Sequence, residues 1–269
     1  MEYVQQDRYT SYLFLLFMVE ILFEDSNIII VNKPAQLATH PGGVYEDNSL
    51  FDSLKEKYET IHLINRLDFD TSGIILCTKN KETAAALNKT MFEKNIQKKY
   101  LAIIFGELDK EIIINKPIAE KRGTHIRWKF KVIKQGKECI TKIKPIHIFT
   151  NKNYKKETEK DDQTYTLIEC TPITGRQHQI RVHLASIKHP IVGDKIYNRD
   201  RVFKYYTTND HTLREEDLAI IKTPRMLLHS YYLSFPYENN QKIITAMPPK
   251  DFLDFLDEEG KEKLNSEHI

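Results

Sequence analysis

Two acids and an arginine stand within five residues of one another in Ile64-Asn65-Arg66-Leu67-Asp68-Phe69-Asp70-Thr71-Ser72-Gly73. A carboxylate on a short loop can act as a nucleophile or proton carrier when a rigid frame holds the loop. One apolar run leads in, Ile61 to Ile64, and a second leads out, Ile74 to Cys77, so both flanks read as short buried strands. A surface turn with solvated acids fits the same residues, and the stretch alone does not choose. As a pair, Asp68 and Asp70 are badly placed for glycoside hydrolysis. Two residues apart on one loop, they do not suit the ~5–10 Å separation that mechanism needs.

The second stretch with chemistry is Thr171-Pro-Ile-Thr-Gly-Arg176-Gln-His178-Gln-Ile180-Arg181-Val-His183-Leu-Ala-Ser-Ile187. The spacing predicts a helix starting at Thr174 or Gly175, with Ile180, His183, Leu184 and Ile187 in one apolar row. Arg176 falls one turn before Ile180 on that row, so it is expected to point inward at the helix N-terminus. The helix dipole disfavours a cation there. A buried arginine also calls for a carboxylate, because an unpaired buried charge costs several kcal/mol. Asp68 is the candidate partner; the alternative is that Arg176 reaches solvent or a phosphate. His178, His183 and His189 match neither HExxH nor a Cys/His finger, so core or RNA-contact roles are expected and no metal is implied. Nucleotide-binding glycine loops and a GxSxG elbow are missing from the sequence.

The elements that must position these residues are legible as patterns. Ile21 to Phe23 and Ile28 to Val31 read as strands around a Glu-Asp-Ser-Asn turn. Leu50 to Tyr58 has helical spacing at Leu50, Phe51, Leu54 and Tyr58, with Asn48 as the expected N-cap. Lys81 to Phe92 is expected as an amphipathic helix with Ala84, Leu87 and Met91 inward, joined by Ala85 and Phe92. Tyr100 to Phe105 reads as a strand with Tyr100, Ala102 and Ile104 on one face. Tyr165 to Cys170, Arg225 to Pro236 and Ile243 to Ala246 are further strands, and Phe252 to Leu256 a closing helix. Between 121 and 144 nine cations face one acid, Glu138, and His125 to Val132 alternates like a half-buried strand. Either a lysine-guarded sheet edge or a phosphate-facing surface accounts for that charge. Residues 151–163 read as a polar loop and 198–223 as a polar excursion.

Length and charge set outer limits. The 269 residues suffice for a large core, and 41% hydrophobic with 29% charged residues describes a globular chain. A net charge of +2 makes no case for nucleic acid, so any basic surface must be local. Cys77, Cys139 and Cys170 are odd in number, form no CxxC pair and sit in apolar contexts; buried free thiols in a reducing cytoplasm are expected. The apolar run Tyr12 to Leu22 is too short to span a bilayer, is interrupted by Glu20, and lacks a signal-peptide front. Residues 1–17 are expected to be dispensable and 18–269 to form the functional domain.

Taken together, these stretches resemble the RluA-type pseudouridine synthases from about Ile21 to Ala246. The likeness is carried by Ile21-Leu-Phe-Glu-Asp with Val31-Asn-Lys-Pro and His40-Pro41, by Arg66-Leu-Asp68-xx-Thr-Ser-Gly73, by Lys98-Lys-Tyr100-Leu-Ala, and by Thr174-Gly-Arg-Gln-His-Gln-Ile-Arg-Val-His-Leu with His-Pro-Ile-Val-Gly-Asp194. The resemblance implies an α+β fold: a mixed, largely antiparallel sheet in two lobes around a central catalytic cleft. It implies isomerisation of specific uridines to pseudouridine in tRNA or ribosomal RNA, without cofactor or metal, by a cytoplasmic monomer. Asp68 matches the family's nucleophile, Tyr100 the tyrosine that stacks on the base, and Arg176 the arginine that pairs with the aspartate. Arg66, Ile180, Arg181 and His178 are expected on the substrate. Asn65 stands where the family usually has His, and too little chain precedes Ile21 for a separate RNA-binding domain. A silent RNA-binding protein on the same scaffold is the rival reading, disfavoured by intact Asp68, Tyr100 and Arg176.

Overall fold

In the computed structural model, residues 19–42, 49–120, 129–151, 163–208 and 212–267 are described. The chain divides into two compact units, Met1–Gln97 with Ser230–Pro248, and Lys98–His229 with Pro249–Ile269.

The first unit is built on two strands whose sequences are apolar without alternation. β2 (Ile28–Lys33) and β4 (Ser72–Thr78) pair antiparallel, Ile28 with Thr78 through Lys33 with Gly73. Unbroken apolar runs of this kind suit strands covered on both faces, and Ile28 to Val31 and every residue of β4 are buried. β1 (Glu20–Glu24) pairs antiparallel with β2, and the short β3 (His62–Leu63) with β4. α1 (Leu50–Lys57) starts at Ser49, whose hydroxyl accepts from the Asp52 N–H while Asp52 accepts from the Ser49 N–H. This capping box is the start signal the chain uses; Asn48, the cap expected from sequence, lies outside the described residues. α2 (Lys81–Phe92) matches the expected span, capped by Asn80. Its buried face is narrower than expected. Ala84 and Leu87 are inside, Met91 is half-buried, Ala85 is exposed and Phe92 is 88% exposed. The core of this unit joins Ile28, Ile30, Ile74, Leu76, Leu87, Leu233 and Phe235.

The second unit carries β5 (Gln97–Phe105), β6 (Ile112–Asn115), β9 (Ile140–Thr150) and β10 (Thr164–Pro172), with β10 antiparallel to both β5 and β9, and β6 antiparallel to β9. β7 (Ile118–Glu120) and β8 (Phe130–Val132) make a separate two-stranded sheet. Only the last three residues of the expected 125–132 strand are therefore seen as strand; 121–128 lie outside the described residues. α3 (Gln179–Ser186) follows β10. The polar excursion is helical, α4 (Asp200–Thr208) and α5 (Glu215–Ile221), with Val202, Phe203 and Ile221 buried. β11 (Leu228–Tyr237) opens in the second unit and continues into the first, where it pairs antiparallel with β12 (Asn240–Thr245). α6 (Lys250–Leu253) and α7 (Glu258–Glu267) close the chain. The result is an α+β protein with a large, mostly antiparallel sheet. All three thiols are free and buried, as expected, and burial pushes the Cys77 and Cys170 thiols well up. Among the described residues, no helix is long and apolar enough to cross a membrane.

Candidate active site

The Asp68 loop leaves β3 and re-enters the sheet at β4, and its backbone is tied at both ends. At its base, Asn65 is buried; its amide donates to the Ile74 carbonyl (3.1 Å) and its oxygen accepts from the Leu76 N–H (2.8 Å). A residue with one donor and one acceptor end suits this place, and Asn65 supplies both. Across the loop, the Thr39 hydroxyl donates to the Leu67 carbonyl (2.7 Å) and accepts from the Leu67 N–H (3.2 Å). The Gln36 N–H donates to the Phe69 carbonyl at 2.8 Å. Lys33, fully buried, turns its ammonium to the carbonyls of Pro34 (2.7 Å), Leu37 (2.8 Å) and Phe69 (3.4 Å). Finally the Thr71 N–H closes a turn on the Asp68 carbonyl at 3.0 Å.

This clamp leaves Asp68 and Asp70 partly buried and Arg66 exposed beside them. The surface-turn reading thus fails for the backbone, which is over-determined by side-chain bonds. His40 is near enough to Arg66 to feel it: burial first, then the Arg66 charge, hold its imidazole below the usual histidine range. Lys33 and Thr39 were not singled out by sequence reasoning; the signal available was their place in the Val31-Asn-Lys-Pro…His40-Pro41 motif. A 510 Å³ cavity in the same unit borders His40, Phe51, Lys55, His62 and Asn88, and Asp68 does not line it.

In the second unit, Tyr100 is buried on β5, opposite Cys170 of β10. Lys98 lies two residues earlier, hence on the same strand face, and burial lowers its ammonium pKa. Arg176 is not where periodicity put it. α3 begins at Gln179, so Arg176 precedes the helix and is exposed, its Nε donating to the Glu138 carbonyl at 3.2 Å. Every residue from Gln179 to Leu184 is buried, so a row on one face carried little information about direction. The inward arginine of this motif is Arg181. It is 7% exposed and grips Asp194 through Nε (2.8 Å) and Nη2 (2.9 Å). The expectation of a buried arginine needing a carboxylate therefore applies to Arg181, which meets that need with Asp194. Burial alone would raise the Asp194 carboxyl, but the Arg181 charge and bonds from Arg181, Ile196 and Tyr197 hold it below its ordinary value.

Gln179, overlooked in the sequence, organises the segment that carries Arg176. Its Oε1 accepts from the Thr174 hydroxyl (2.8 Å) and the Arg176 N–H (3.0 Å), while Nε2 donates to the Ile140 carbonyl and to Thr141 Oγ1, both at 2.9 Å. The expected histidines are held by the protein. His183 meets Thr141 and the Lys116 carbonyl, His178 meets the Tyr197 hydroxyl, and His189 meets the Phe105 carbonyl. Ile180 is buried on α3. The basic stretch divides: Lys131, Lys134, Lys137, Lys142 and Lys144 are exposed, whereas Lys129 is buried against Asp200 (2.8 Å) and the Phe203 ring (4.1 Å).

Comparison with known proteins turns this geometry into a class. Two solved structures share the fold. Human RNA Pseudouridylate Synthase Domain Containing 4 has a TM-score of 0.69 at 21% identity, covering 96% of this chain and 98% of that one. Human RNA Pseudouridylate Synthase Domain Containing 1 has a TM-score of 0.68 at 22% identity, covering 87% and 85%. The family model described as RNA pseudouridylate synthase matches residues 27–186. An uncharacterized RNA pseudouridine synthase of Helicobacter pylori is 32% identical over 88% of this chain and 76% of its own length. The dual-specificity RNA pseudouridine synthase RluA of Vibrio parahaemolyticus is 31% identical over 90% of both chains. The ribosomal large subunit pseudouridine synthase D of Nitrosomonas europaea is 31% identical over 86% of this chain, which spans 62% of that longer protein. The chain belongs to the RluA-type pseudouridine synthases. It is an enzyme that isomerises uridine within RNA.

Proposed function

We propose that Asp68 is the nucleophile, that Tyr100 stacks on the target uracil and helps carry its proton, and that Arg176 keeps the Asp68 carboxylate ionised, with uridines of tRNA or ribosomal RNA as substrates. Relatives bearing ribosomal and dual-specificity names support that substrate class. The observation that carries the reading is the clamp on the Asp68 loop: Asn65, Thr39, Lys33 and Gln36 bind the backbone of the loop and its flanks and so fix where the Asp68 side chain starts. A nucleophile needs such positioning, since misplacement by about 1 Å can cost ~100-fold in rate.

The reaction exchanges the N1–C1′ bond of uridine for a C5–C1′ bond. N1 gains a proton and C5 loses one, so atoms and electrons balance within the nucleoside and no oxidant or reductant is required. Asp68 serves at the sugar–base junction while the base turns. Within an RNA the uridine must first leave its stack, at a cost of a few kcal/mol. Exposed Arg66 beside the loop is suited to fill the vacated place, and an aromatic platform at Tyr100 offsets part of the unstacking. Ile180 packs in the pocket and His178 completes it. The enzyme acts as a monomer in the cytoplasm, without cofactor or metal.

Asp68→Ala is expected to abolish pseudouridine formation at an unchanged melting temperature, measured on total RNA from cells lacking the gene. Turnover by this variant would refute the assignment. Pseudouridine mapping with and without the gene identifies the RNA and the nucleotide.

A further inference from the structure

We propose that Tyr197 is a positioning residue for the Arg176 segment, acting through His178; this rests on the role given to Arg176 above. His178 is the residue before α3, and its backbone is left-handed, φ 55° and ψ 18°. A non-glycine residue is disfavoured there, so the surroundings must hold it. His178 does not cap the helix with its side chain. Instead, its Nδ1 lies 2.8 Å from the Tyr197 hydroxyl. That hydroxyl also accepts the Phe130 N–H at 3.0 Å. The His178 ring stands edge-on to Tyr197 (5.6 Å, 81°) and to Phe130 (5.6 Å, 73°).

Tyr197 is itself fixed. Its N–H donates to Asp194 Oδ1 at 3.0 Å, and the Arg181 guanidinium that grips Asp194 lies 5.0 Å from the Tyr197 ring. The Arg176 segment thus has two anchors of opposite kind. Gln179 ties it to β9 from inside, and Tyr197 ties its last residue, His178, to β8 and to the Arg181–Asp194 pair. The exposed Arg176 side chain gets its direction from this backbone, since its own tether is one 3.2 Å bond to Glu138. The left-handed residue is therefore a pivot: released, it would return toward ordinary backbone angles and carry Arg176 with it.

The test uses the full-length protein and total RNA from cells lacking the gene. Tyr197→Phe keeps the ring and removes the hydroxyl. The expected result is faster deuterium uptake at residues 174–178 and at the Phe130 amide, which loses its acceptor, unchanged uptake elsewhere, the wild-type melting temperature and KM, and a kcat lower by about tenfold or more. His178→Gly, which removes the same anchor, is expected to show the same faster uptake at residues 174–177 even if Tyr197→Phe folds poorly, and wild-type uptake there overturns the proposal. Wild-type uptake at 174–178 in Tyr197→Phe overturns the proposal, as does faster uptake with wild-type kcat. A kcat loss without faster uptake overturns it too, assigning Tyr197 to the substrate directly. If the wild type forms no pseudouridine, the functional reading fails, and the exchange measurement still decides whether the anchor exists.

Discussion

At the scale of residues, His183 shows how one proton is placed by its neighbours. A carbonyl can only accept, so Nε2, 2.9 Å from the Lys116 carbonyl, carries the hydrogen, and Nδ1 accepts from the Thr141 hydroxyl at 2.8 Å. Thr141 is free to donate because its lone pair already receives Gln179 Nε2. The chain runs on through Gln179 to the Arg176 N–H. Burial holds the His183 imidazole below its ordinary 6.5, partly opposed by the bond to Lys116. The native state therefore prefers neutral His183, and the unfolded chain takes up the proton first as pH falls. The associated stability is fully present above the ordinary value and is lost on acidification from there toward the lowered native value. Wild-type stability is expected to fall between about pH 6.5 and the native value, with a slope of up to ~1.4 kcal/mol per pH unit from this group. His183→Gln, which keeps a donor for Lys116, should flatten that limb; denaturant unfolding across pH checks it.

At the scale of elements, the close approach of β4 and β11 constrains the exit of the Asp68 loop. Gly73 has φ +118°, and a Cβ there would lie 2.2 Å from the Ser230 carbonyl oxygen and 2.6 Å from its nitrogen. Both atoms are backbone and cannot swing aside. Gly73→Ala is expected to cost about 3 kcal/mol or more, by strain and overpacking together. Because Asn65 hangs on Ile74 and Leu76 of the same strand, activity should fall further than the folded fraction. Urea unfolding together with kcat at a temperature where the variant is folded separates the two effects.

At the scale of the whole molecule, neither compact unit is continuous in sequence. The second unit is completed only by the residues from Pro249 on. Phe252, Phe255 and Leu264 are fully buried there, and Phe255 packs edge-on against Tyr165 (5.0 Å, 89°) and Phe149 (6.3 Å, 79°). Arg225, buried, pairs with Asp251 of α6, and His147 on β9 meets Asp257 at 2.9 Å. The closing segment is thus core. Phe255→Ala is expected to cost about 3–5 kcal/mol, measured by denaturant unfolding, and a chain stopped after Pro248 should fail to give a cooperative transition. Retained cooperativity in the truncated chain would show that this segment is an accessory.

The sequence by itself determined the strands, the loop acids and the family. Ile28–Val31 and Ile74–Cys77 are apolar without interruption, so local pattern and tertiary burial agree there; Lys81–Phe92 is a helix as its period predicts, but Ala85 and Phe92 are left outside. Motif order singles out Asp68, Tyr100 and Arg176 as the residues to test, although they lie far apart in the chain. Tertiary structure alone decided which arginine goes inside. The segment 174–187 offers the same apolar row whether a helix starts at Gly175 or at Gln179. The start was set by bonds from Gln179 to Ile140 and Thr141 and from His178 to Tyr197, partners about twenty to forty residues away that no local period encodes. They leave Arg176 outside the helix and Arg181 on Asp194. The Asp68 loop has the same history. Its acids are visible in the sequence, but its rigidity comes from Lys33, Gln36 and Thr39, which reach it only after β2 has paired with β4.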